Sequence, residues 1–387
     1  MQPVYLDNNA TTRLAPDALQ AMLPFLTQDF GNPSSMHAMG RAPARALIGA
    51  RRAVQALIGA ADDAEIVFTS GGTEANLTAI RSALAADPSR REIVTSAVEH
   101  PAVLALCDHL ERAEGVTVHR IPVDTEGRLE LDAFRAALSD RVALVTLMWA
   151  NNETGTVFPV EGLAELAHGV GALFHTDAVQ AAGKLPIAVK GTDIDMLSVS
   201  AHKLHGPKGV GALYLRKGVP FQPLLRGGKQ ERGRRAGTEN IAGIVGFGRA
   251  AELAPAVDLA HIARLRDRLE AGIIAAVPKV RVLGDLRDRL ANTSCLAFDF
   301  AEGEAILMRL DRAGIAVSTG AACSSGAIEP SHVMRAMKVP FTAAHGAIRF
   351  SLSRDTTVPE IDRVIEALPP VIAQLRALSP FGAEEVR

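Results

Sequence analysis

The chain has 387 residues, 48% of them apolar and 22% charged, with a formal net charge of -2. These values exclude a disordered chain and give no basis for general nucleic-acid affinity, and no apolar run is long enough to span a bilayer. The length predicts one large domain with a smaller companion.

The amino terminus, Met1-Gln2-Pro3-Val4-Tyr5-Leu6-Asp7, shows no basic region followed by an apolar stretch, so no signal peptide is expected. Short β-rich runs follow at Glu65 to Thr69, Glu92 to Val98, Val142 to Met148, Ala172 to Thr176 and Met196 to Val199. Helical patterns lie between them at Glu74 to Leu84, Pro101 to Ala113 and Val160 to Val170. This alternation predicts an α/β fold with a mainly parallel central sheet and helices on both faces. In such sheets the ligand sits beyond the carboxyl ends of the strands, where this chain gathers its polar residues. Around Ala254-Pro255-Ala256 the alternation gives way to a charged helical pattern, His261 to Ala276, and then to mixed α/β sequence. A large domain over 13–256 is therefore expected, with a smaller α/β domain over 257–387 and an N-terminal segment, 1–12, joining them. The basic stretch Arg226 to Arg235 reads as an ordered loop rather than a nucleic-acid arm, because it has no interleaved aromatic residues.

Three cysteines, Cys107, Cys295 and Cys323, form an odd set without metal-ligand spacing. Such a set suits a reducing cytoplasm and leaves room for a working thiol. Cys107 falls on a helical pattern and Cys295 in a strand-like run, the setting of core cysteines. Cys323 lies among small residues, Ser318-Thr319-Gly320-Ala321-Ala322-Cys323-Ser324-Ser325-Gly326, with no apolar periodicity around it.

Ser70-Gly71-Gly72-Thr73-Glu74 opens a helix after a strand, a setting that suits a phosphate but is as often only structural. Glu99-His100-Pro101 puts an imidazole on the same rim. Asp177 and Lys203 end two successive strands; each alone could be half of a solvated ion pair. Together they match the needs of pyridoxal phosphate, a carboxylate for the pyridine nitrogen and a lysine that bonds the cofactor. The run Ser200-Ala201-His202 before Lys203 offers phosphate donors.

At these residues the sequence resembles the aminotransferase-like pyridoxal-phosphate enzymes and, within them, the cysteine desulfurases, most of all the nitrogen-fixation type. The resemblance extends through Leu6-Asp7-Asn8-Asn9-Ala10-Thr11-Thr12, Gly31-Asn32-Pro33-Ser34-Ser35, Met148 to Gly155 and Ala347 to Ser351. It implies that Lys203 carries the cofactor, Asp177 partners the pyridinium, His100 stacks on the ring, and Gln180 and Asn152 lie near the ring hydroxyl. It also implies a phosphate cup from Gly72, Thr73, Ser200 and His202, with Ala201 among the cofactor-binding residues and Thr238 completing the site of a neighbouring subunit in a homodimer. Asn152 and Arg349 are implied to bind the substrate, Arg349 as the clamp for its carboxylate. The implied reaction converts L-cysteine to L-alanine, with Cys323 as the nucleophile that takes sulfur as a persulfide, and Lys203 and His100 moving protons. An iron-sulfur scaffold protein is implied as acceptor, and Cys323 as a transient ligand of its cluster. Housekeeping cluster assembly, selenocysteine lysis and other pyridoxal-phosphate reactions of the fold are the alternatives; the loop bearing Cys323 speaks for desulfuration.

Overall fold

The computed structural model describes residues 3–319 and 329–378. Thirteen strands are present among them: β1 (Val4–Tyr5), β2 (Ile66–Thr69), β3 (Glu92–Ser96), β4 (Thr117–Ile121), β5 (Val142–Met148), β6 (Leu173–Asp177), β7 (Met196–Ser200), β8 (Gly211–Leu215), β9 (Val280–Leu283), β10 (Thr293–Phe298), β11 (Ile315–Ala316), β12 (Ser318–Thr319) and β13 (Ala347–Ser351). Strands β2 to β8 make one sheet in the order β2-β8-β7-β6-β5-β3-β4, parallel throughout except for β8, which runs against both of its neighbours. The five sequence-predicted strands are all in it. Strands β4 and β8 are additional.

Most strands of this sheet are buried along their whole length, which is why they read as apolar runs without alternation. Helices cover both faces, including Gly72–Ala86 and Pro101–Glu114 on one core and Ala38–Ile58, Val160–His168 and Ile241–Leu253 on the other. The predicted helix from Glu74 starts two residues earlier, at Gly72, and the charged helix from His261 starts at Leu259 after the N-cap Asp258.

Strands β9, β10, β12 and β13 form an antiparallel sheet in the order β12-β13-β10-β9. Its period-two alternation places Leu296 and Phe298 in a second core, beneath the helices Leu259–Ala276, Gly303–Arg312 and Val358–Leu378, while Cys295 and Ala297 face the core of the large sheet. Fully burying Phe298 and Phe350 contributes about 2–3 kcal/mol each. The N-terminal strand belongs to this second core. β1 pairs in parallel with β11, and Val4 and Leu6 are buried in the same cluster. From there residues 7–12 cross to the end of β7, where Thr12 N–H donates to the carbonyl of His202 at 2.9 Å. Among the described residues no helix is long and apolar enough to cross a membrane.

Candidate active site

The carboxyl ends of β2, β3, β5, β6 and β7 open onto a cavity of about 620 Å³, closed from the side by residues 9–10, by Arg349 on β13 and by residues 329–335. Gly72, Thr73, His100, Asn152, Asp177, Gln180, Ser200, His202, Lys203 and Arg349 all line it, so ten of the sequence-predicted residues meet in one place.

Asp177 ends β6 with its carboxylate fixed from two sides. Oδ2 accepts from Asn76 Nδ2 at 2.6 Å, and Oδ1 accepts from the Val179 amide at 3.0 Å. Asn76 was not predicted, and only its place one turn into the phosphate-facing helix hinted at it. Lys203 sits on the short turn Ala201–Lys203 after β7, and its Nζ donates to the carbonyls of Asn9 and Ala10, the latter at 2.7 Å. The N-terminal segment thus reaches the lysine itself.

His100 caps the helix Pro101–Glu114, its Nδ1 accepting from the Ala102 amide at 3.1 Å. An accepting Nδ1 carries no proton, so the neutral ring keeps its proton on Nε2. Burial, set against the opposing pull of Asp177 and reinforced by Lys203, lowers its pKa. His202 is lowered further, to about 4, by burial and then by Lys203 and Lys208, and its Nδ1 lies 3.1 Å from the Thr11 hydroxyl. Both imidazoles are neutral at physiological pH.

After β2, a Cβ on Gly72 would come within 2.7 Å of Val179 Cγ2, and one on Gly211 within 2.8 Å of the Gly71 backbone. The absent side chain at Gly72 keeps the start of the helix Gly72–Ala86 open to the cavity, and Gly211 lets β8 pack closely on the turn before it, an arrangement that could take an anion. Glu74 in that first turn is occupied elsewhere, accepting from the Ser70 amide at 2.8 Å and from Nε and Nη2 of Arg235. Ala201, expected among the cofactor-binding residues, is not brought to the cavity wall. Its N–H is committed to the Val210 carbonyl at 3.1 Å. Thr238 is exposed and lies outside the cavity, in a separate cleft over the end of β2. The loop before it is ordered: Glu231 pairs bidentately with Arg51 at 2.7 Å and accepts from the Phe68 amide at 3.0 Å.

Arg349 is 4% exposed, with Nη2 on Asp7 Oδ1 at 2.7 Å and Nη1 on the Asn152 carbonyl at 3.0 Å. Its buried Nε has no hydrogen-bond partner. A carboxylate entering the cavity would satisfy that donor and the remaining hydrogens of the fork.

Three further residues behind the wall escaped the sequence reading. Glu99 is buried, with Oε1 accepting from Ser96 Oγ and the Met148 amide and Oε2 unpartnered; burial pushes its pKa up to about 8. His332 Nε2 donates to the Glu99 carbonyl at 2.9 Å, joining residues 329–335 to the β3 rim. Lys184 donates to Gln180 and Asn9. Glu99 stands beside His100 at a strand end, but neither His332 nor Lys184 follows a predicted strand.

Cys107 and Cys295 are fully buried, and burial pushes both thiols up to about 12, as suits core cysteines. Cys323 lies outside the described residues. The residues that flank its segment do not: Ser318 and Thr319 pair with Arg349 and Ile348, and Glu329 and Pro330 line the cavity. Among the described residues, no group of three or more His, Cys, Asp or Glu is placed to hold a metal ion.

The chain belongs to the aminotransferase class-V family, whose family model matches residues 4–364. Its relatives within that family include several named cysteine desulfurases. It is 79% identical to a cysteine desulfurase of Cereibacter sphaeroides over the whole of both chains. It is 59% identical to the cysteine desulfurase NifS of Azotobacter vinelandii, over 98% of this chain and 95% of that one. Among solved structures, a NifS-like protein superposes with a TM-score of 0.90 at 36% identity, covering 97% of this chain and 100% of that one.

Proposed function

We propose that this cysteine desulfurase uses pyridoxal 5'-phosphate held at Lys203 to convert L-cysteine to L-alanine, with sulfur leaving as a persulfide on Cys323. The observation that carries the reading is the fixed Asp177 carboxylate on the same cavity rim as Lys203, beside a helix start kept open by glycines and facing the partly unsatisfied Arg349 fork. When bound, the cofactor supplies an electron-withdrawing ring that stabilises negative charge at the substrate's Cα.

The chain's own groups divide the remaining work. Asp177, held by two donors, would pair with the ring nitrogen. Gly72, Thr73, Ser200 and His202 would hold the phosphate, His100 would hold the ring, and Gln180 and Asn152 would serve the ring hydroxyl. Asn152 and Arg349 would receive the substrate, Lys203 would move the Cα proton, and the Nε2 proton of His100 would serve the thiols. The Cys323 thiolate forms an S–S bond as the substrate's C–S bond breaks. The electron pair of that bond stays on carbon, where protons complete alanine. Glu329 and Pro330, which follow the Cys323 segment, line the cavity, and Ser318 before it pairs with Arg349, which supports that delivery.

Thr238 faces away from its own cavity, which supports a homodimer in which it completes the partner's phosphate site. The high identity to NifS supports sulfur supply for iron-sulfur clusters in nitrogenase maturation, with a scaffold protein as acceptor and Cys323 as a passing ligand of its cluster, in the cytoplasm. The second core, made from Val4, Leu6 and residues between Ile262 and Ile372, supports a division into 13–256 and 257–387 bridged by 1–12. Borohydride reduction followed by peptide mapping tests the lysine: label on Lys203 is expected, and label on Lys184, Lys208 or Lys217 would refute the assignment. Sedimentation tests assembly, since a monomer that kept its cofactor tightly would exclude a shared site.

A further inference from the structure

We propose that Lys184 is a positioning residue of the site: through Gln180 and Asn9 it fixes which way the side-chain amides face the cavity, and so favours the form of Lys203 that has given up its proton. The proposal rests on the reading that Lys203 carries pyridoxal phosphate.

Lys184 Nζ donates to Gln180 Oε1 at 2.8 Å and to Asn9 Oδ1 at 3.1 Å. An ammonium only donates, so both amides must turn their oxygens toward it. The orientation of Asn9 has a second guard, because Asn292 Nδ2 also donates to Oδ1 at 3.0 Å and Asn9 Nδ2 is spent on Thr293 Oγ1 and the Asn152 carbonyl. Gln180 is anchored at its oxygen by Lys184. With the oxygen held there, its Nε2 donates to the Asn9 carbonyl at 2.9 Å, leaving a second N–H for whatever occupies the cavity that Gln180 lines. That Asn9 carbonyl also receives Lys203 Nζ, so the two lysines are joined through a single residue.

The charges around the pair act in the same direction. Burial, then Lys203 and Arg349, push the pKa of Lys184 down to about 7, and repulsion is mutual, so Lys184 disfavours the charged form of Lys203. Lys203 shares its cavity with Asp177 and acts on His100 and His202, Lys208 also acts on His202, Arg349 is offset by Asp7, and Lys184 acts on His205. A Gln180 N–H donating to an oxygen of the bound cofactor would compete with the proton of the lysine linkage for that oxygen, which again favours loss of that proton.

The test is a pH titration of the visible absorbance of holoenzyme, in the parent and in Lys184→Met. The midpoint should rise by about one pH unit in the variant, with kcat/KM about tenfold lower at neutral pH and recovering at higher pH. Lys184→Gln, which keeps polarity without a charge, should give the same upward shift if the methionine variant folds poorly. Adding Gln180→Leu should produce less than the sum of the separate shifts, because Lys184 acts partly through that amide. An unmoved midpoint with only a lower melting temperature would make Lys184 a space-filling residue and overturn the proposal, as would full additivity with Gln180→Leu. A parent holoenzyme with no visible band would instead refute the cofactor reading itself.

Discussion

Asp7 and Arg349 lie 342 residues apart in sequence and meet at 2.7 Å, so the arginine assigned to the substrate carboxylate is aimed by a residue from the other end of the chain. The fork is pinned before any substrate arrives, which lowers the conformational cost of binding. Arg349→Lys would keep the charge and lose the fork. We expect kcat/KM for cysteine to fall about 10–100-fold, chiefly through KM, equivalent to about 1.4–2.7 kcal/mol. Steady-state kinetics on the cofactor-loaded enzyme measure it, and an unchanged KM would count against the clamp.

Removing the thiol separates sulfur transfer from everything before it. Cys323→Ala should bind cofactor, show the spectral shift with cysteine and release no alanine, because a methyl group cannot attack sulfur. Cys107→Ala and Cys295→Ala should keep turnover and lose about 1–2 kcal/mol of stability through small cavities. Alanine release and persulfide labelling on the three variants distinguish these outcomes.

Glu99 makes stability depend on pH. Its folded pKa, about 8, lies above the unfolded value of 4.5, so between those limits the folded state holds a proton that the unfolded state has lost. The native state is therefore destabilised as pH rises through this window, with no further loss above the folded pKa. Glu99→Gln keeps an oxygen for Ser96 and the Met148 amide and removes the titration. Denaturation midpoints of the variant should vary less between about pH 5 and 8 than those of the parent; parallel curves would show that Glu99 is already ionised.

Glu231 and Arg51 are both buried, and the carboxylate also holds the Phe68 amide. Glu231→Gln would leave the guanidinium without its counter-charge, at a cost of about 3–5 kcal/mol by chemical denaturation. The loop ending at Thr238 would loosen with it, so cofactor should be lost at protein concentrations where the parent retains it. A spectrum recorded across a dilution series reports this.

Much of this site was legible because its residues follow strand ends in sequence. Asp177, Lys203 and His100 stand next to the apolar runs that announce β6, β7 and β3, and the parallel-sheet rule places those ends on one rim. The missed strands had reasons of their own. Thr117–Ile121 is an edge strand carrying the half-exposed His119 and Arg120, so its apolar signal is interrupted. Gly211–Leu215 begins at a glycine and returns antiparallel from β7 without a crossover helix, which breaks the alternation that revealed the others. Asn9 and Lys184 meet across 175 residues of sequence, and nothing local to either marks the contact. The small core was less legible than the large one because its strands alternate their faces between two partners, so neither face yields a clean amphipathic period.

The N-terminal strand has a consequence for the order in which the protein is made. Residues 7–10 leave the ribosome early, yet the partners they serve on β13 follow about 340 residues later, roughly 20–70 s at ordinary elongation rates. Through that interval the large sheet can assemble without Arg349, and Asp7 has no guanidinium to hold. Asn9 and Ala10 can already meet Gln180, Lys184 and Lys203 in that interval, but the segment gains its ties to β13 only when that strand arrives. A chain that stalls before Arg349 would therefore hold its lysine and Asp177 but lack the arginine fork and the anchor that Ser351 gives Asn9.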